Sequence, residues 1–286
     1  MNLISGKIIS EQIKEELLQE IKQLQSLNIN PSITIIQVGE NQASCVYVRN
    51  KLKLAQELKI KGELIKLKED IEENELISII KKLNDSRDVN GILVQLPLPN
   101  HINENNIIET INPIKDVDCF CLQNVGKLWT VKKDFNGILP CTPAGVIEML
   151  KRSNIEIKGK KVAIIGRSNI VGKPLAALCL LENATPIICH SQTQNLKQIC
   201  QESDILIPCL GKAKFITKEF TNSKQVIIDV GINRDEEGKL CGDVDFENIC
   251  EHVHSISPVP KGVGPMTIIM LSKNLIKVTK MQNNLK

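Results

Sequence analysis

Aromatic side chains are scarce: five Phe, one Trp and one Tyr among 286 residues. The lone tyrosine, Tyr47, sits beside polar neighbours and so calls for an explanation. Long apolar runs are missing too. The longest unbroken one covers residues 175–181, only seven positions, which is far short of a bilayer span. No charge surplus exists, since 36 basic against 33 acidic side chains leave a net charge of +3, and a dedicated nucleic-acid binder carries a concentrated basic excess. The opening MNLISGKIIS contains no apolar stretch of signal-peptide length, so a cytoplasmic protein with neither a membrane nor a nucleic-acid partner is expected. Cys-x-x-Cys pairs are absent. The ten cysteines are scattered and read as reduced thiols rather than a disulfide framework. Cys119, Cys121 and Cys141 lack metal-ligand spacing, and His252 with His254 supplies only two ligands, so no metal is expected.

What remains is ordinary globular material, 42% hydrophobic and 24% charged, long enough for two domains. Ile9, Ile13, Leu17, Ile21 and Leu24 form one helical stripe. A β-branched run at 32–39 follows, then a helix over about 43–60, a strand near 64–67, a helix near 72–83 and the apolar segment GILVQLPLP at 91–99. Short apolar strands without strict polar alternation, separated by amphipathic helices, predict a parallel sheet covered on both faces. Residues 112–145 break the rhythm and read as a linker or binding loop. The alternation resumes with a strand at 162–166, a helix at about 171–182, and strands at 185–189, 204–209 and 225–231 separated by a helix near 196–202. A helix at about 265–280 ends the pattern. The fold class is therefore α/β with a second α/β domain.

KKVAIIGRSNIVGKPLA sets Gly166 and Gly172 at a strand-to-helix turn, where backbone N–H groups and the helix N-terminus can hold a phosphate. It departs from G-x-G-x-x-G, with Ser168 at the second glycine and Val171 at the third. Dinucleotide binding and a merely structural turn both fit it. The end of the next strand reads Cys189, His190, Ser191, without the carboxylate that an NAD ribose normally meets. Arg167 and Ser191 suit a ribose 2′-phosphate instead, so NADP is the expected cofactor unless Arg167 is only a solvated surface charge.

At 100° per residue, the helix after VGENQAS gathers Ser44, Tyr47, Val48, Lys51, Leu54, Ala55 and Leu58 within an arc of about 120°. Arg49, Lys53, Gln56 and Glu57 fall opposite. Lys51 thus faces inward, either as an acid/base group or with its stem buried and its head reaching solvent. Gln95, followed by Pro97 and Pro99, ends an apolar strand. Asp116 and Asp118 lie in the irregular stretch, where they either line a ligand crevice or serve as caps and turns.

Together VGENQASCVYVRNK, GILVQLPLP, PIKDVD, PCTPAG, GRSNIVGKP, CHSQT, IIDVGIN, GDVDF and PVPKGVGPMT resemble, in order and spacing, the bifunctional methylenetetrahydrofolate dehydrogenase/cyclohydrolase family over nearly the whole chain. The resemblance implies NADP-dependent oxidation of 5,10-methylenetetrahydrofolate to the methenyl cation and its hydrolysis to 10-formyltetrahydrofolate. It implies Lys51 as the acid/base group, Gln95 orienting it, Tyr47 positioning the folate and Asp118 anchoring the pterin, with Val94, Leu96, Pro260 and Gly264 also on the folate side. For the cofactor it implies Gly166, Arg167, Ser168, Ser191 and Ile232. It further implies two α/β domains around a cleft, a folate-binding catalytic domain at 1–142 and a Rossmann-like NADP-binding domain at 143–263. It also implies a C-terminal helix at 264–286 that returns to the first domain, and a homodimer formed through the cofactor domain.

Two residues depart from the family pattern. Cys119 stands where the family commonly has glycine after Asp-Val-Asp, and Lys261 replaces the first glycine of Pro-Gly-Gly-Val-Gly. Both changes are expected to alter loop shape near the folate without touching the chemical groups. The rival readings are a monofunctional dehydrogenase and a non-catalytic NADP-binding regulatory subunit. The Lys51–Gln95 combination speaks against the first and the inward Tyr47–Lys51 pair against the second.

Overall fold

The computed structural model describes residues 2–130 and 135–285. In chain order the elements begin with β1 (Asn2–Leu3), α1 (Gly6–Ser26), β2 (Ser32–Val38), α2 (Gln42–Glu57), β3 (Lys61–Leu67), α3 (Glu73–Asp85), β4 (Gly91–Val94), α4 (Glu104–Thr110) and α5 (Leu122–Thr130). They continue with α6 (Cys141–Arg152), β5 (Lys161–Ile165), α7 (Gly172–Leu181), β6 (Thr185–Cys189), α8 (Leu196–Gln201) and β7 (Ile205–Pro208). The last are β8 (Val226–Ile227), β9 (Asn233–Arg234), β10 (Leu240–Cys241), α9 (Phe246–Ile249), β11 (Ser255–Ile256) and α10 (Val263–Gln282).

The chain divides into two compact units. One comprises Gln12–Lys127, Asn136–Leu139 and Ile268–Lys286 and holds a parallel sheet in the order β3-β2-β4. Central β2 is buried at all seven positions, which is why its sequence, SITIIQV, shows no alternation. Ile36, Leu76, Ile80, Ile92 and Ile107, each at most 1% exposed, form the heart of its core. Gly91 opens β4 because a Cβ there would press on Val117 and Leu275.

The other unit comprises Met1–Glu11, Leu128–Phe135 and Pro140–Thr267, with a six-stranded parallel sheet ordered β1-β11-β8-β7-β5-β6. Interior β5 is fully buried from Val162 to Ile165. Ala163, Ile165, Leu206, Ile227 and Ile256 share one core with Phe220 and Ile249.

Several expectations need correction. The first residues do not stay with the 1–142 segment: Asn2 and Leu3 pair in parallel with Ser255 and Ile256 at the edge of the six-stranded sheet. The irregular stretch at 112–145 contains α5 and the start of α6, while its residues 131–134 lie outside the described residues. Pro143 is compatible with α6 because it falls in the first turn, where its missing N–H costs nothing. The strand expected at 225–231 is only Val226–Ile227, and the one at 91–99 ends at Val94. The stripe Ile9, Ile13, Leu17, Ile21 and Leu24 on α1 is buried throughout, at most 6% exposed. All ten cysteines are free. No helix among the described residues is long and apolar enough to cross a membrane.

Candidate active site

In the three-stranded unit the site is built on α2. Asn41 caps it, its side chain accepting a hydrogen bond from the Ser44 N–H at 3.1 Å. The predicted inward face follows: Ser44, Val48, Lys51 and Ala55 are buried and Tyr47 half-buried, whereas Arg49, Lys53, Gln56 and Glu57 are exposed. Lys51 as a whole is buried, 9% exposed. Its Nζ donates to Gln95 Oε1 at 2.9 Å.

Gln95 is held from two sides. Its backbone N–H continues the β4 ladder by donating to the Ile36 carbonyl at 2.9 Å, and its Nε2 donates to the Leu96 carbonyl at 2.7 Å. A lysine can only donate and a carbonyl only accept, so a single orientation of the amide satisfies both contacts. Among the described residues Lys51 forms no ion pair. A buried amine facing a neutral amide, with no carboxylate to fix its charge, is suited to proton exchange. Tyr47 lies one turn earlier on the same stripe, and burial pushes its phenol pKa above the usual value, keeping it a neutral hydrogen-bonding group. Val94 is buried and Leu96 half-buried beside Gln95.

The two aspartates separate in role. Asp116 is 3% exposed and accepts hydrogen bonds from the N–H of Asp118 and Cys121 and from Asn124 Nδ2, at 3.3, 3.1 and 3.0 Å. It pins the loop. Asp118 is half-buried. Asn274 of α10 holds the same loop, its Nδ2 donating to the carbonyls of Val117 and Leu139. Sequence reasoning missed Gln37. This residue is 3% exposed, and its Nε2 contacts the Gly39 carbonyl at 3.0 Å and Cys45 Sγ at 3.1 Å, anchoring the entry to α2.

In the six-stranded unit, Gly166 ends β5 with φ +145°, and a Cβ there would press on Cys209. A Cβ on Gly172 would overlap the Gly166 carbonyl. Both glycines are therefore required by close backbone approach. Ser168 does more than replace a glycine: its Oγ accepts from the N–H groups of Val171 and Gly172 at 3.2 and 3.4 Å, while its carbonyl accepts from Lys173 N–H at 3.1 Å. The N–H groups of Gly172 and Lys173, the first donors of α7, thus have partners within the turn. The Ser168 hydroxyl still has its own hydrogen to donate.

Arg167 is exposed and has no ion-pair partner among the described residues. Because Ile165 pairs with Cys189, Arg167 and Ser191 each stand two residues beyond the ends of neighbouring parallel strands, at the sheet edge where such folds bind ligands. Ile232 is 47% exposed. Pro260 is exposed and Gly264 half-buried, at the turn that opens α10. Among the described residues no group of three or more His, Cys, Asp or Glu is placed to hold a metal ion.

A glycine-lined strand–turn–helix on an open parallel sheet, lacking a carboxylate after its second strand, defines an α/β enzyme of the nicotinamide-dinucleotide class. Comparison with known proteins narrows this. The description "Tetrahydrofolate dehydrogenase/cyclohydrolase, catalytic domain" matches residues 4–118, and "Tetrahydrofolate dehydrogenase/cyclohydrolase, NAD(P)-binding domain" matches residues 140–283. The bifunctional protein FolD of Agathobacter rectalis is 51% identical over 98% of this chain and 99% of its own. The bifunctional enzyme FolD-methylenetetrahydrofolate dehydrogenase/cyclohydrolase from Campylobacter jejuni superposes with a TM-score of 0.94 at 43% identity, covering 99% of each chain. The Trypanosoma brucei enzyme, solved with NADP cofactor and inhibitor, does so with a TM-score of 0.93 at 33% identity over 98% of each. The chain belongs to the tetrahydrofolate dehydrogenase/cyclohydrolase family, and it is an enzyme with both of that family's activities.

Proposed function

We propose that this protein oxidises 5,10-methylenetetrahydrofolate with NADP⁺ and hydrolyses the resulting methenyl cation to 10-formyltetrahydrofolate. The observation that carries this is the buried Lys51 nitrogen, 2.9 Å from Gln95 Oε1 and outside any ion pair among the described residues. In hydrolysis, water oxygen bonds to the one-carbon bridge and the Lys51 amine takes a proton from that water. The resulting ammonium then gives the proton to N5 as the carbon–N5 bond breaks, and the remaining hydroxyl proton leaves to solvent as the formyl carbonyl forms. Gln95 keeps Nζ aimed during this exchange. Tyr47 positions the folate, Asp118 accepts pterin N–H groups, and Val94, Leu96, Pro260 and Gly264 complete the folate side.

NADP⁺, when bound, supplies the hydride acceptor. The residues fit it: Gly166 and Gly172 admit close backbone approach, Ser168 presents a hydroxyl hydrogen, and exposed Arg167 with Ser191 offers donors to a 2′-phosphate. Ile232 offers an apolar face to the ring system. The six-stranded unit is thereby assigned the cofactor and the three-stranded unit the acid/base chemistry, in a cytoplasmic homodimer. The edge strand β6 and the neighbouring α7, with Ile188 37% and Leu180 52% exposed, support pairing through the cofactor unit.

The test is an absorbance assay of purified protein with methylenetetrahydrofolate and either nicotinamide cofactor. Methenyl absorbance should rise and then decay, faster with NADP⁺ than with NAD⁺. A rise without enzyme-dependent decay refutes the hydrolytic role of Lys51.

A further inference from the structure

Two buried carboxylates have no part in either reaction step. Asp243 is 0% exposed, yet its oxygens accept four hydrogen bonds. Oδ2 receives the N–H of Leu210 at 2.6 Å and of Gly211 at 3.2 Å, and Oδ1 receives the N–H of Lys212 at 2.8 Å and Asn233 Nδ2 at 2.9 Å. Asp229, 3% exposed, accepts from the N–H groups of Gly231 at 2.9 Å and of Asp243 and Val244 at 3.0 Å each, and its own N–H donates to Ser257 Oγ at 2.8 Å. The neighbouring glycines are shaped around the two acids. A Cβ on Gly231 would overlap the Asp243 carboxylate, and one on Gly242 would overlap that of Asp229.

The segments tied down in this way are the loops that follow β7 and β8. The first begins at Cys209, whose N–H donates to the Ile165 carbonyl at 2.9 Å and which walls the Gly166 turn. The second carries Ile232 between Gly231 and Asn233, both of which are bound to the aspartates. Four donors converging on one desolvated carboxylate are worth their cost only if the loops need a single shape.

We propose that Asp243 is a positioning residue for the dinucleotide, clamping the β7 and β8 loops in the arrangement that frames the Gly166 turn and presents Ile232, with Asp229 locking Asp243 in place. This rests on the dinucleotide reading above. Asp243 does not touch the reacting atoms. It sets how much loop ordering NADP must supply on binding.

The two activities provide an internal control, because hydrolysis of the methenyl cation requires no nicotinamide. Binding of NADP to the purified full chain is measured by calorimetry for the wild type, Asp243→Asn and Asn233→Ala. KM for NADP⁺, kcat at saturating NADP⁺ and cofactor-free methenyl hydrolysis are measured alongside. An asparagine keeps one accepting oxygen and loses the other, so Asp243→Asn should weaken NADP binding and raise its KM by about tenfold, with kcat and hydrolysis held within about twofold. Asn233→Ala, which removes a single donor and leaves the backbone clamp intact, should weaken binding about threefold. Should Asp243→Asn fail to fold, Asn233→Ala decides. Wild-type NADP binding with no loss in the variants, or parallel loss of hydrolysis and cofactor binding, overturns the inference while leaving the dinucleotide reading standing. A wild type that does not bind NADP overturns both.

Discussion

Lys51 Nζ and Gln95 Oε1 stand 2.9 Å apart, one on α2 and the other just past β4, and the amide is itself fastened to the Leu96 carbonyl. The contact joins an element whose face is set by helical periodicity to one whose position is set by the sheet ladder. The amine is therefore aimed by two independent parts of the three-stranded unit.

Replacing Lys51 by Met keeps the length and the packing of the stem but removes the exchangeable proton. Methenyl hydrolysis should fall by about 10²–10⁴-fold, with the melting temperature little changed. Decay of methenyl absorbance measures this, and full activity in the variant would remove Lys51 from the mechanism.

Gln95→Glu sets a carboxylate against the same nitrogen. An adjacent negative charge holds the amine in an ion pair, so methenyl hydrolysis should drop. A rate unchanged from the wild type would show that Gln95 does not govern the amine.

Arg167→Ala should cost NADP about 10–100-fold in kcat/KM while leaving NAD nearly unaffected, since only one cofactor carries the phosphate that the guanidinium would meet. Steady-state kinetics with both cofactors measure the ratio. Equal losses would assign Arg167 to the shared pyrophosphate instead.

Asp229 gives a pH dependence of stability. Burial, the largest cause, with the nearby Asp243 charge, pushes its carboxyl up to about 7, although the Val244, Asp243 and Gly231 N–H groups pull the other way. The folded state therefore holds a proton that the unfolded chain releases near its ordinary value of 3.8. This stabilising contribution is complete below that value, declines as the pH rises, and is gone once the pH passes about 7. The melting temperature of Asp229→Asn relative to the wild type should consequently climb from pH 5 to 7 and then level off.

Cys119 and Lys261, the two departures from the family's glycines, both adopt the left-handed backbone region, with φ +60° and +80°. Both positions therefore hold a backbone conformation that glycine adopts freely and other residues adopt at an energetic cost. Lys261 is exposed, so Lys261→Gly loses no packing. It should raise stability by about 0.5–1 kcal/mol, seen as a higher melting temperature with turnover retained. Cys119 is 1% exposed; there, Cys119→Gly should gain less, because the buried sulfur is given up.

The parts of the molecule that repeat regularly were legible from composition and spacing. The inward face of α2 emerged from a period of 3.6, β2 from a β-branched run, and β5 and β6 from short, mostly apolar segments. What escaped had no period to betray it. β1 is two residues long, α4 only seven, and α6 is disguised by Pro143 and Gly145, the latter close-packed against Met266. The run at 225–231 looked like one strand; the regular strand is only Val226–Ile227, although the N–H groups of Ile228 and Val230 still donate to the Leu206 and Pro208 carbonyls, and the Asp229 carboxylate collects backbone N–H groups. A hint lay in IIDVG and GDVDF, each placing an aspartate before valine and within two residues of glycine. Only coordinates reveal that the two segments interlock. Asp116 and Asp118 were likewise indistinguishable until hydrogen bonds assigned the turn to the former.

Pairing of Asn2 and Leu3 with Ser255 and Ile256 also bears on how the chain assembles during synthesis. The edge strand leaves the ribosome some 250 residues ahead of its partner. Until that partner emerges, the opening segment has no ladder to join, and closing so wide a loop is entropically late. An excised fragment starting at residue 140 would leave the outer rim of β11 bare, a surface prone to recruit foreign strands.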